Sequence, residues 1–188
     1  MPTALAETDR KIVAFLQEHP DASQREVAEH VGLTQPAISV RVRRLREEGL
    51  LRIIVGLDPQ KSGLLLAKID VRTTDPQGLI DTFRRCPLLV NAFLTLGGPD
   101  VCLLMIGESV ENLESIMDVH IRPMKGVQSA DLQIVTRAAN PVVLSKAMAA
   151  TKCDRTTCGF MCPACRYYRE DLCTGCPATV YYKGTFWR

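Results

Sequence analysis

The sequence predicts an α+β chain in three parts: an N-terminal helix-turn-helix head, a βαββαβ ferredoxin-like middle domain and a small cysteine-rich C-terminal module. Three observations carry that expectation. Residues 23–46, SQREVAEHVGLTQPAISVRVRRLR, read as two short helices joined by a tight turn. Residues 65–137 switch repeatedly between period-two and helix-period apolar patterns. Six of the eight cysteines and all four tyrosines lie after residue 150. The expected boundaries are 1–52 for the head, 53–63 for a connecting strand and hinge, 64–147 for the middle domain and 148–188 for the tail.

In the head, residues 10–17 form a first helix in which Ile12, Val13, Phe15 and Leu16 are apolar, and His19-Pro20 ends it. Ser23 followed by Glu26 is a capping box, so a second helix starts there. Val27, Ala28 and Val31 give it an apolar side, and Gly32 permits the turn that follows. Thr34 caps the third helix, whose first turn tolerates Pro36. Ile38, Val42 and Leu45 then mark one buried stripe. The other side carries Gln35, Pro36, Ser39, Val40, Arg43 and Arg44. Amide and hydroxyl groups read base edges in a major groove, and arginines hold phosphates or guanine. The candidate DNA-contacting residues are therefore Ser23, Thr34, Gln35, Pro36, Ser39, Val40, Arg43 and Arg44. A charge run on a helix more often marks only a solvated face. The short GLT turn and the polar start of the third helix weigh against that reading here.

The middle domain follows from the pattern after residue 50. Residues 50–57 are apolar and β-branched, which predicts a strand leaving the head, and residues 58–63 read as a hinge. Leu65, Ala67, Ile69 and Val71 alternate with Lys68, Asp70 and Arg72 in a strand with one wet face. Asp75-Pro76 opens a helix carrying Leu79, Ile80 and Phe83. Two apolar runs, 88–96 and 101–106, flank Gly97-Gly98-Pro99-Asp100 and predict a hairpin. Val110, Leu113, Ile116, Met117, His120 and Ile121 trace a helical stripe, on which a lone histidine reads as a core residue. Leu132, Ile134 and Thr136 alternate with polar residues in a last strand. The result is a four-stranded antiparallel sheet with two helices on one face. Its other face needs cover, which a homodimer supplies.

The chain has 188 residues, a net charge of +2 and 46% hydrophobic residues. It has no apolar run near the roughly 18 residues of a membrane span, and no signal-peptide pattern opens it. A cytoplasmic protein without a membrane partner is expected. Residues 1–52 hold eight basic and eight acidic groups, so DNA binding would come from charge placement rather than bulk field.

The run ETDRKIVAFLQEHPDASQREVAEHVGLTQPAISVRVRRLREEGLL and, less firmly, LGGPDVCLLMIG resemble the Lrp/AsnC (feast/famine) transcription regulators over about residues 5–145. The resemblance implies a RAM-type middle domain, a homodimer or an octamer built from it, and a small effector, often an amino acid. The family's effector region matches residues 97–100, which makes Gly97 and Asp100 effector-binding candidates. Only that first glycine and last aspartate match the family's Gly-Asp-Tyr-Asp-like turn. One branch of the family, the siroheme decarboxylases, is enzymatic and is expected to have a degraded recognition helix. The arginine-bearing helix is intact here, so the chain is expected not to be an enzyme.

The tail reads CDRTTCGFMCPACRYYREDLCTGC, with spacing C-x4-C-x3-C-x2-C-x7-C-x2-C. The pairs Cys162/Cys165 and Cys173/Cys176 suit tetrahedral zinc. Equally, Cys158, Cys162 and Cys165 with Cys173 or Cys176 suit a [4Fe–4S] cluster. The cysteines exceed the need of either site, and Cys153 is the expected outlier. Spare thiolates suit a labile, redox-responsive cluster, which tilts the choice toward iron–sulfur. A disulfide framework is not expected in a reducing compartment. Cys86 and Cys102 read as inert core residues. Tyr167, Tyr168, Tyr181, Tyr182, Phe186 and Trp187 are expected to wrap the metal knuckle. The expected function is a DNA-binding regulator whose metal centre reports redox state or metal supply; the alternative is an effector-responsive regulator with a structural zinc tail.

Overall fold

Three helices build the head: α1 (Glu7–Glu18), α2 (Gln24–Val31) and α3 (Gln35–Glu47). The computed structural model describes residues 5–146 and 152–188, and the boundary expected at residue 148 lies outside them. The capping box forms: Ser23 Oγ accepts from Glu26 N–H at 3.3 Å, and Glu26 Oε2 accepts from Ser23 N–H at 2.7 Å. Gly32 adopts φ 75°, the left-handed turn between α2 and α3 that a side chain would strain. Ile12, Val27, Ala28, Ile38, Val42, Leu45 and Leu51 form the head's own core.

The rest of the chain runs β1 (Leu65–Thr73), α4 (Pro76–Phe83), β2 (Leu89–Leu94), β3 (Val101–Gly107), α5 (Val110–Ser115) and β4 (Val127–Val135). The sheet is antiparallel with order β2-β3-β1-β4. Register pairs Ala67 with Met105, Ile69 with Leu103 and Val71 with Val101. These six side chains are fully buried with Leu79 and Phe83 of α4 and Leu113 of α5, so the helices cover one face. The opposite face carries Lys68, Asp70, Cys102 and Phe93, none of them fully buried. Asp75 caps α4 by accepting from Gly78 N–H at 3.0 Å, and Ser109 caps α5 through Asn112 N–H at 3.1 Å.

Three local features depart from the sequence expectation. Residues 50–57 form no strand; Leu57 alone pairs, in one antiparallel bridge with Leu144. Ile53, Ile54 and Val55 are 54%, 60% and 88% exposed. β-Branched residues favour a strand only where a neighbouring strand takes their backbone hydrogen bonds. β4 begins at Val127 rather than near Leu132, because β1 pairs with it as far back as Thr73↔Val127. The helix after β3 is α-helical only to Ser115 and continues as a π-helix over Ile116–Ile121, with Arg122 N–H bonded to Met117 O at 2.8 Å.

The chain divides into two compact units between Ile54 and Val55, and the described part of the tail belongs to the same unit as the sheet. Trp187, 4% exposed, is buried in the core formed by Leu66, Phe83 and Leu113, with Tyr182 and Phe186 packed against it. Among the described residues no helix is long and apolar enough to cross a membrane.

Candidate functional site

Two groups of residues have the chemistry for function. In the head, α3 buries Ile38, Val42 and Leu45. Thr34, Gln35, Pro36, Val40, Arg43 and Arg44 are exposed, and Ser39 is half-buried. Seven of the eight candidates thus lie along one helix and its cap. Ser23 is exposed, with its hydroxyl already capping α2. Arg44 is committed too. Its Nη2 lies 2.5 Å from Asp9 Oδ2, and Arg41 Nη1 lies 3.0 Å from Asp9 Oδ1. Asp9 is 1% exposed. A buried carboxylate needs such partners, and here they tie α1 to α3. The sequence reading missed Asp9, although it precedes Ile12 and Leu16 by three and seven residues on one helical face.

At the other candidate turn, Asp100 Oδ2 accepts from Thr73 N–H at 2.8 Å, and Asp100 N–H bonds Val71 O at 3.0 Å. Gly97 has φ 110° in the exposed hairpin. Asp100 therefore has a structural task, closing the end of β1 against the hairpin.

The second group is a cavity of about 40 Å³ between the tail and the α4/α5 side of the sheet domain. Cys158, Cys162, Cys165, Cys173 and Cys176 all line it. Cys153 does not: it is exposed, and its backbone pairs with Ala178 and Val180. The floor comes from the sheet domain and includes Cys86, Asn112 and His120. Sequence reading placed Cys86 and His120 in the core and did not connect either to the tail. No local spacing relates them to it; the fold alone brings residues 86, 120 and 158–176 together.

The sulfurs receive hydrogen bonds. Asn112, 4% exposed, donates from Nδ2 to Cys173 Sγ at 3.2 Å. Gly175 N–H also points at Cys173 Sγ, at 3.4 Å, from a left-handed φ of 84°. Cys176 N–H points at Cys162 Sγ at 3.4 Å. Cys158 Sγ lies 3.1 Å from His120 Nδ1 and 3.2 Å from Thr156 Oγ1. The Phe160 ring meets the His120 ring edge-on at 4.5 Å. A thiol is a weak acceptor, so N–H donors aimed at sulfur suit thiolates better. Burial pushes the Cys86 and Cys176 thiols up to about 12, raises Cys158 and lowers His120 to about 4. Burial thus favours the neutral forms of Cys86, Cys158, Cys176 and His120, and a cation bound there would favour the thiolates. Among the described residues, no three His, Cys, Asp or Glu side chains are arranged to hold a single ion.

Three helices with a glycine turn and an exposed, arginine-bearing third helix, followed by a separately cored βαββαβ sheet, define a DNA-binding transcriptional regulator. Residues 5–52 match the winged helix-turn-helix DNA-binding family. The chain is similar to Lrp/AsnC regulators. It is 27% identical over 141 residues to the HTH-type transcriptional regulator FL11 of Pyrococcus horikoshii, which covers 73% of this chain and 93% of that protein. Its fold matches E. coli AsnC with a TM-score of 0.66 at 17% identity, over 77% of this chain and 100% of that one. It also matches the L-Met complex of a transcriptional regulator from Neisseria meningitidis, with a TM-score of 0.64 at 23% identity, over 77% of this chain and 97% of that one. The Pyrococcus and Neisseria proteins are transcriptional regulators. Because AsnC is matched over its whole length by 77% of this chain, the remainder has no counterpart in it.

Proposed function

We propose that this regulator carries a metal centre in the cysteine cavity and that occupancy of the centre changes its affinity for DNA. The observation that carries the reading is the gathering of five tail cysteines around one cavity, with three N–H donors aimed at their sulfurs. Four thiolates on one zinc lie about 2.3 Å from the ion, hence roughly 3.8 Å from one another. Five cysteines at the cavity exceed the four a single zinc takes, and spare thiolates suit a labile, redox-responsive cluster, which favours iron–sulfur over zinc. Cys158, Cys162 and Cys165, with Cys173 or Cys176, would hold it, and Cys153 lies outside the cavity. Duplex DNA is read by α3 of the head through Gln35, Pro36, Ser39, Val40 and Arg43, with Thr34 at its start, and the protein acts as a homodimer in the cytoplasm. Reduced thiols are available there to take up metal.

The test is anaerobic purification of the full chain, followed by metal and sulfide analysis and an absorption spectrum of the same sample. The expected result is iron and sulfide with a broad visible absorption that reduction bleaches. Promoter DNA titrated with the loaded and metal-free protein should then differ in affinity by roughly 5- to 150-fold, the usual span of such coupling. Colourless protein with about one zinc per chain makes the tail structural. Equal DNA affinity in both states removes the sensing role.

A further inference from the structure

We infer that the sheet unit makes a DNA contact of its own: the cleft between the end of α4 and the tail's turn at residues 157–159 receives a backbone phosphate of the duplex that the head has bound. This rests on the reading of the chain as a DNA binder and needs no metal.

The cleft is open, with a volume of about 540 Å³. Asp81, Thr82, Arg84 and Arg85 line it from α4 and the turn after it, and residues 157–159 line it from the tail. Arg84 and Arg85 are both exposed. Among the described residues their guanidinium groups have no hydrogen-bond or ion-pair partner. Lys68, Arg122, Arg166 and Lys183 of the same unit are each paired with an acid. Two more cations touch residues of the lining. Lys146 Nζ donates to Arg84 O at 2.9 Å, and Arg155 Nη1 donates to Gly159 O at 3.3 Å. Each of these bonds ends on a neutral carbonyl, so neither charge is cancelled. The acid in the lining, Asp81, accepts from Gln77 Nε2 at 3.0 Å on its own helix, and Asp154 stands next to Arg155 in sequence. Four cations against two carboxylates leave the cleft positive.

The tail side of the cleft is fixed. Thr156 N–H bonds Phe160 O, and Phe160 N–H bonds Thr156 Oγ1, both at 2.8 Å. Cys158 lines both the cleft and the cysteine cavity, so this turn stands between the two. A guanidinium presents N–H donors in a fork that fits phosphate oxygens, and the exposed Thr157 adds a hydroxyl. The phosphate belongs to DNA rather than to a free anion because both arginines are exposed. Water and salt screen an exposed charge, so a lone anion is held weakly there. A duplex held by the head presents its phosphates to the rest of the same chain at a raised effective concentration. Each phosphate neutralised also releases counterions. Such a contact adds affinity and carries no sequence information. No local pattern marks it, since residues 84–85, 146 and 155–159 meet only in the fold.

The test titrates the full chain with a duplex that extends well beyond the head's site, over a range of salt. Arg84→Ala/Arg85→Ala is expected to lower the slope of log affinity against log salt by about two per chain. Binding at low salt should weaken at least tenfold, equally on specific and scrambled duplexes. Arg84→Lys/Arg85→Lys should restore most of the slope, because the charge remains. The thermal midpoint should not move in either variant, since neither side chain has a partner to lose. Lys125→Ala/Arg137→Ala removes the same charge from exposed positions that do not line the cleft, and should leave the slope unchanged. An equal fall in that control would make the bulk field responsible and overturn the cleft as the contact. So would a slope unchanged by Arg84→Ala/Arg85→Ala in a protein that binds DNA, which leaves the head as sole reader. Saturable binding of inorganic phosphate by the wild-type chain, lost in the alanine pair, would reassign the cleft to a free anion. If wild type binds no duplex, the DNA reading itself fails and this inference with it.

Discussion

The two candidate sites contrast in how they are assembled. The candidate DNA-reading residues, Ser23 apart, come from the 13 consecutive positions of α3 and the cap before it, on a scaffold whose core is its own. The cysteine cavity draws on Cys86 at the end of α4, Asn112 and His120 after β3, and the tail from Cys158 to Cys176. The head keeps its chemistry exposed and its buried Asp9 paired by two arginines. The cavity's cysteines are buried or half-buried. A site on a single helix can be read from periodicity, whereas one assembled across a fold cannot. The difference also predicts which changes damage folding and which damage only function.

The largest effect should come from Trp187→Ala. If the tail were an appendage folded by metal alone, this change would leave the sheet intact. Trp187 instead shares the sheet's core, so its truncation should cost about 3 kcal/mol of global stability. Urea unfolding of the metal-free chain, followed by far-ultraviolet circular dichroism, measures it. A midpoint within error of wild type would show that the tail and the sheet do not share one cooperative core.

Asp9→Ala probes the other unit. Removing one partner of a fully buried ion pair costs about 3–5 kcal/mol. Arg41 and Arg44 are 36% and 50% exposed, so water takes over part of the loss, and about 2 kcal/mol is expected. The loss should appear in the head's thermal transition and leave metal content unchanged. A change below about 0.5 kcal/mol would place Asp9 with ordinary surface positions.

Much of the fold was legible because local signals and packing agree in it. The capping box at Ser23, the turn at Gly32 and the stripe of Ile38, Val42 and Leu45 all occur in the structure as the sequence implies. The βαββαβ order likewise follows from alternation in β1 and the hairpin around residues 97–100. What failed depended on partners distant in sequence. Residues 50–57 have strand composition, but among the described residues only Leu57 finds a β-bridge partner, Leu144. His120 sits in an apolar stripe, and the π-helix and the tail that give it a neighbour leave no mark on that stripe. The tail's spacing announced sulfur chemistry but said nothing of the floor beneath it. Asp9 was readable and was missed: an acid on the buried face of a first helix calls for a buried cation, and α3 supplies two.

The smallest effect, and the most specific, concerns Arg43. Arg43 and Arg44 stand together on the exposed side of α3 and would both serve as phosphate contacts. Arg44, however, is bonded to Asp9, so Arg44→Ala loosens the head and confuses folding with binding. Arg43 is exposed and lies off that brace. Arg43→Ala should leave thermal stability within about 0.5 kcal/mol of wild type. It should weaken DNA binding by about tenfold at low salt and lower the slope of log affinity against log salt by about one for each head. Measuring that slope on specific and scrambled duplexes separates the two roles open to an arginine here. Equal losses on both sequences mean a phosphate contact, and a loss confined to the specific duplex means a base contact. An unchanged slope and affinity would take Arg43 out of the DNA interface and leave α3's reading to Gln35, Ser39 and Val40.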